Sequence, residues 1–488
     1  MLFNSYIFIF LFLPLAFTGY FLLNHRKKYQ TAKFFLVVMS LWFYAYFHIS
    51  YLWIILFSIA MNYLCHCAII RGRRARTVMW CGIAANLGLL FYYKYFNFLL
   101  ENINLAFHAD FSLPNILLPL GISFFTFQQI AFLVDSARGD MPRQNPLDYA
   151  LFVTFFPQLI AGPIVSHAEM LPQFQDVSRK RVQSENIYRG LRLFVLGLGK
   201  KVLLADIFGH AVYWGFLNYR ILDGLNTFLV ILFYTIQLYL DFSGYCDMAR
   251  GIGYLFNIRI PVNFLSPYKA KNILEFWDRW HITLTRFFTR YVYIPLGGNR
   301  KGLARTCVNV LLVFLLSGIW HGAGWNYVVW GLLHGLLSVI TRLWKSLRKR
   351  DGSNPVGKAV SVCATFLAVC CAWAFFRADT LGQAVYMMRQ LVSAGGRHIY
   401  LELATYFQVP EIQYGLKFLG QSDMPCSGYY GLVAFTLVAL FLIFCRGNLY
   451  EGEEGHRPGV FGTVCLSLCA VWSILSLSGV STFLYFNF

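Results

Sequence analysis

Residues 272–302 read NILEFWDRWHITLTRFFTRYVYIPLGGNRKG, and residues 315–335 read LLSGIWHGAGWNYVVWGLLHG. In the first stretch Asn272 and Glu275 have the spacing of a capping box, with Asn at the N-cap. A helix started there places Trp277 and His281 on one face at i,i+4. Pro295 and Gly297-Gly298 end it. Its interleaved Trp, Phe and Arg suit a helix lying in the membrane interface. The second stretch belongs to an apolar segment, 306–341, with Arg305 before it and Arg342, Lys345, Arg348, Lys349 and Arg350 after it. Positive charge at both ends places both on the cytoplasmic side. The chain must then turn back, most simply at Gly318–Gly324, and His321 sits at the deep tip of a hairpin. An ionisable group there is costly to place, which makes it a functional candidate.

Composition agrees with a membrane setting. Of 488 residues, 58% are hydrophobic and 13% charged, against about 25% charged in soluble chains. Repeated apolar runs of about 18 residues or more read as transmembrane helices. The expected fold class is an all-α integral membrane protein with about 11–13 crossings, plus re-entrant or interfacial helices. The formal charge of +19 sits in short loops between apolar runs. That is the positive-inside pattern, so the partner it implies is the lipid bilayer and no nucleic acid. The cysteines lie mostly inside apolar runs and form no CxxC pair, which reads as small buried side chains. No HExxH motif or Cys/His cluster points to a metal, and no GxSxG motif points to an acyl-serine.

Outward from the decisive stretch, the N-terminal apolar run is followed rather than preceded by basic residues (His25–Lys28), which predicts a retained span with its N-terminus outside. Residues 33–69 hold about two spans, and 77–99 another. From 112 to 165, Pro119, Gly121, Pro157, Gly162 and Pro163 interrupt apolar sequence. Broken segments occur at membrane depth only where protein or a cavity satisfies the backbone. Gln128, Gln129 and Gln158 either line such a cavity or bond helix to helix. Spans near 190–217 and 224–242 follow, and Gln237 and Asp241 share a helix face in the second. The whole of 1–488 reads as one membrane domain. Its motif-bearing core is about 112–385, with an expected external loop at 386–427 and two last spans within 428–488.

Among eleven histidines, only His281, His321 and His334 fall where burial and chemistry meet. A neutral imidazole accepts a proton from a hydroxyl, and general base action supplies about 10²–10⁴-fold in rate. Gly318, Gly322 and Gly324 read as leaving room for a substrate beside His321. A histidine hydrogen-bonded within a bundle is the competing reading for each.

The stretches FWDRWHITLTRFFTRYVYIPLGGNR and SGIWHGAGWNYVVWGLLHG, with PLGISFFTFQ, FPQLIAGPI, QLYLDFSGYCDMARGIG and WAFFRADTLGQA in order, resemble the membrane-bound O-acyltransferase family. The similarity is to its bacterial alginate O-acetyltransferase branch. The continuation Tyr293–Arg300 favours that branch over the teichoic-acid D-alanyltransfer branch. The resemblance implies a helical ring around a funnel and tunnel, with His321 as the catalytic histidine and His281 as its second polar position. It implies transfer of acetyl from a cytoplasmic thioester donor (acetyl-CoA or another acyl thioester, with no bound cofactor) across the bacterial inner membrane. The acceptor is an exported polysaccharide, alginate-like or cellulose-like, reached through periplasmic acetyltransferase or polysaccharide-modifying partners. Trp277, Arg279, Trp280, Gln237, Asp241, Trp320, Asn299 and Arg300 are then expected around substrate or donor, with Arg279, Arg286, Arg290, Arg300 and Lys301 available to attract phosphates. Two rivals remain: D-alanyl transfer from a carrier protein, and a non-enzymatic transporter or export channel. The sequence has no evident inverted repeat of the kind transporters carry.

Overall fold

The computed structural model describes residues 1–72, 74–347, 355–393, 395–396, 398–418, 427–445, 459–478 and 483–484, apart from the side chains of 411, 412, 415 and 416. Arg73, Arg348, Lys349, Arg350, His456 and parts of the expected external loop and last spans lie outside the described residues. Among those described, every regular element is helical. In chain order, a π turn at Phe8–Phe12 leads into α1 (Leu13–His25), followed by α2 (Tyr29–Ala45), α3 (Tyr51–Ile70) and α4 (Ala75–Leu90). A second π turn, Phe91–Tyr95, joins α4 to α5 (Phe96–Phe107). The interrupted region becomes α6 (Ile122–Arg138), α7 (Pro146–Thr154), α8 (Phe156–Leu159) and α9 (His167–Gln175). Then come α10 (Ser184–Gly199), a π turn at Lys200–Ala205, α11 (Asp206–Leu217) and α12 (Gly224–Leu255). The decisive stretch holds α13 (Ile273–Arg279), α14 (Ile282–Phe288), a π turn at Thr289–Tyr293, α15 (Gly302–His321) and α16 (Trp325–Leu347). The chain closes with α17 (Pro355–Arg377), α18 (Leu381–Val392), α19 (Leu401–Thr405), α20 (Pro410–Phe418), α21 (Ser427–Phe444) and α22 (Val460–Leu475).

Seven helices among the described residues are long and apolar enough to cross a membrane. The larger number of crossings expected from the sequence counted apolar runs. Several of those runs fold as helices too short to count alone, such as α2 and α22, or as helices joined through π turns, such as α4–α5 and α10–α11. The glutamines of the broken region act as bonds between helices. Gln128 and Gln158 both donate to the Phe152 carbonyl, at 2.9 and 2.8 Å, and Gln129 donates to Ser58 Oγ at 2.8 Å while accepting from Tyr149.

Helix α12 is the post around which the bundle stands, and the Asp223 side chain caps its first turn by accepting from Asn226 N. It crosses α10 antiparallel through glycines seven residues apart on each helix. A Cβ on Gly197 would sit 2.6 Å from the Gly244 carbonyl oxygen, and one on Gly251 would sit 2.6 Å from that of Gly190. Small residues let backbones approach this closely, which is how helices associate where lipid removes the hydrophobic drive. Gly251→Ala is therefore expected to cost about 1–3 kcal/mol through overpacking. Thermal unfolding in detergent reads this as a lowered midpoint, and an unchanged midpoint would show that the crossing can relax.

The expected hairpin is present: α15 rises to His321, the chain turns through 322–324, and α16 returns. The glycines play a different part from the one expected. A side chain on Gly322 would enter the Tyr327 ring, and one on Gly318 would enter the Tyr327 carbonyl and lie 3.2 Å from Gly331 Cα. These positions close α15 onto α16 and leave no space there for a substrate.

Candidate active site

Residues 273–294 do not form the single helix that the i,i+4 reading assumed. The chain breaks at His281, which adopts the left-handed conformation at φ 45° and precedes α14 as its N-cap. Trp277 and His281 consequently do not share a helix face. The break is held by an extended segment eighteen residues upstream. Leu265 N donates to the Arg279 carbonyl, Ile282 N donates to the Asn263 carbonyl, and Asn263 Oδ1 accepts from Thr283 N and Oγ1 at 3.2 and 2.9 Å. Left-handed backbone at a residue other than glycine costs free energy and persists where its surroundings enforce it, commonly at functional sites.

His281 is fully buried, with its ring edge on Phe242. Its Nδ1 lies 3.2 Å from Asn263 Oδ1. Because that oxygen accepts from Thr283, the hydrogen of the neutral imidazole is on Nδ1 and the lone pair on Nε2. Burial lowers the His281 pKa to about 3, so the ring stays neutral at physiological pH. Asn263→Ala removes the bond that fixes tautomer and ring. The expected loss is about tenfold in turnover at unchanged protein level, and full turnover in matched membranes would remove Asn263 from the account.

His321 is also buried, at 2% exposure, and closes the C-terminus of α15. Its ring packs on Trp320 at 4.9 Å, edge-on to Trp330 at 5.0 Å, and on Phe376 at 5.2 Å. Trp320 also approaches the His281 ring, with centroids 6.5 Å apart, so both histidines pack against one indole. Phe127 stacks on that indole at 5.0 Å and fixes its plane. His334, one turn beyond Trp330, accepts from Trp277 Nε1 at Nδ1, 3.3 Å away, within a cage that includes Phe276 and Trp373. Trp277 is thus bonded to His334, and Trp280 packs on Tyr268, Phe264 and Trp373.

Other expected residues stand apart from this group. Asp241 pairs with Lys201 at 2.6 Å and accepts from Leu484 N at 2.9 Å, while Gln237 lies against Gly209 of α11. Both face the α10–α11 side of α12, whereas Phe242 on the same helix faces His281. Asn299 and Arg300 are exposed at the opposite end of α15 from His321, about 30 Å along a helix of this length. Three of the arginines expected to attract phosphates are paired within the protein. Arg279 bonds Glu275, Arg286 grips Glu169 through two bonds, and Arg290 bonds Asp135 and Asp140.

The sequence reading missed Lys94. It sits in the π turn between α4 and α5, and π turns are frequent at functional sites. Its Nζ donates to the Trp320 carbonyl at 2.6 Å, the His321 carbonyl at 3.1 Å and Ser123 Oγ at 3.3 Å. Tyr95 OH donates to the Ile319 carbonyl at 2.8 Å. Together they cap the carbonyl end of α15, where helix geometry leaves acceptors unpaired and the dipole favours a cation. A lone lysine inside an apolar run was the available signal.

The chain has known relatives. The model of the membrane-bound O-acyltransferase family matches residues 9–373. The peptidoglycan O-acetyltransferase of Helicobacter pylori is 40% identical over an alignment of 525 positions that covers 100% of this chain and 98% of that protein. A probable alginate O-acetylase, AlgI, of Pseudomonas putida is 36% identical over 519 positions, covering 100% of each. The teichoic acid D-alanyltransferase of Bacillus subtilis is 29% identical over 274 positions, covering 52% of this chain and 68% of that protein.

Proposed function

Because the chain belongs to the membrane-bound O-acyltransferase family, a multi-pass acyltransferase, we propose that it moves acetyl from a cytoplasmic thioester to hydroxyl groups of a cell-envelope glycan. The bacterial inner membrane is where such a transfer takes place, with periplasmic proteins completing delivery to the polymer. The acceptor is of the class named in the full-length relatives, peptidoglycan or alginate, or another exported polysaccharide of cellulose type. The observation that carries this reading is the pair of buried histidines packed against Trp320, with His321 at the turn of a hairpin whose other end is basic.

The chemistry follows from those groups. His321 takes the proton of an acceptor hydroxyl as its oxygen attacks the thioester carbonyl carbon. The tetrahedral intermediate collapses, the C–S bond breaks, and the leaving thiolate takes up the proton. Trp320 and Trp330 have buried indole N–H groups with no hydrogen-bond acceptor among the described residues. They are suited to donate to the oxyanion in a buried site. His281, neutral through burial and fixed in tautomer by Asn263, orients the acyl group or the acceptor. A donor retained at Arg300 and Lys301 must span about 30 Å along α15 to reach His321. That requirement favours a thioester carried on a long, flexible arm.

Proton NMR of exopolysaccharide and wall glycan from a deletion strain, with and without the complementing gene, tests the acyl group and polymer together. O-acetyl lost on deletion and restored on complementation supports the proposal, and the polymer affected identifies the acceptor. Acetyl unchanged, with D-alanine esters lost instead, would transfer the chain to the D-alanyl reading.

A further inference from the structure

Helix α10 borders two cavities of opposite character, and neither lining includes a histidine. At its N-terminal end is a polar cavity of about 370 Å³ whose lining includes Arg179, Arg189, Arg259 and Asn257. Along its length runs an apolar groove of about 420 Å³ between α1, α10 and α22, lined by Phe17, Ile187, Leu191, Leu255 and Ile474 among others. Volumes of this size are typical of ligand pockets. The two adjoin: Asn186 lines the first and Ile187 the second, and Leu255 lines the groove two residues before Asn257 lines the polar cavity.

The polar cavity is built rather than incidental. Asn257, left-handed at φ 60°, donates through Nδ2 to the carbonyls of Arg179 and Arg181 at 2.9 and 2.7 Å. Its Oδ1 accepts from Asn186 at 2.8 Å, and its carbonyl accepts from Arg179 Nη1 at 2.8 Å. Asp176 balances Arg179, and Glu185 balances Arg189. The exposed Arg259 makes no ion pair among the described residues, which leaves one guanidinium over. A guanidinium fork is suited to phosphate oxygens. An apolar groove on a membrane-facing surface suits a hydrocarbon chain, and the basic loop sequence around it puts the polar end at the cytoplasmic surface.

We infer that this composite is a binding site for one anionic glycerophospholipid of the cytoplasmic leaflet. The headgroup phosphate lies on Arg259 and an acyl chain lies along α10, between α1 and α22. A soluble phosphate compound would use only the polar half. A neutral phospholipid carries a phosphate too, but its choline cation meets the uncompensated Arg259 with the wrong sign. The bound lipid joins α22 to the body of the bundle.

The test uses the full-length protein, delipidated in detergent, with phosphatidylglycerol or phosphatidylcholine of identical chains added back. Native mass spectrometry counts bound lipid, and thermal unfolding measures stabilisation. One phosphatidylglycerol is retained about tenfold more tightly than phosphatidylcholine. Arg259→Gln removes that preference, and Leu191→Trp, which fills the groove, weakens both lipids. Equal retention of the two lipids by the wild type, or an unchanged preference in Arg259→Gln, overturns the site. Stabilisation by inorganic pyrophosphate that equals that of phosphatidylglycerol and survives Leu191→Trp would reassign the cavity to a soluble phosphate compound.

Discussion

His321→Ala lowers acyl transfer by about 10²–10⁴-fold, the contribution of a positioned general base. The protein should still assemble, because the aromatic cage of Trp320, Trp330 and Phe376 encloses the space left by the ring. The measurement is acetyl transfer in membranes containing matched amounts of wild type and variant, with thermal unfolding as the control for folding. His321→Gln keeps much of the ring's volume and a hydrogen-bonding end but cannot act as a base at neutral pH, so it should be nearly as inactive. Transfer by His321→Gln at the wild-type rate would remove the base role and leave His321 a packing residue.

Lys94→Met produces the second large effect by a different route. It deletes the cation held by the carbonyls of Trp320 and His321 while keeping an unbranched apolar side chain. Each lost charge-assisted bond carries about 1.5–3 kcal/mol, and the carbonyls at the end of α15 lose a donor. Turnover should fall at least about tenfold with the apparent affinity for donor little changed, because a shifted helix end moves His321 relative to the acyl carbon. Lys94→Arg keeps the charge and should restore part of the turnover. A fall in thermal stability with turnover per folded molecule intact would make Lys94 structural only.

How far the sequence revealed this molecule depended on how far apart the interacting residues lie. The α15–α16 hairpin was legible because basic residues at both ends of 306–341 and the length between them require a return. The break at His281 was not, since its cause is Asn263, eighteen residues away and outside any helical repeat. Gly318 and Gly322 mark close approach in either reading, and only the position of Tyr327 shows that a helix fills the space. Asp241 stood out as an acid in an apolar helix, but its Lys201 partner comes from the π turn before α11. Lys94 was visible as a charge inside a span, yet counting Lys and Arg to orient spans treats each as a boundary marker and passes over one that points inward.

The glycine crossing of α10 and α12 has a consequence for the way the acyl group changes sides. Helices seated on each other's carbonyl oxygens have no hinge along that line, so α12, which carries Phe242 against His281, is a fixed support. Under the proposed function, donor and acceptor then meet at a fixed point from opposite faces, and the protein need not open first to one compartment and then to the other. Such a handover moves no charged helix through the electric field, and its rate should be indifferent to membrane voltage.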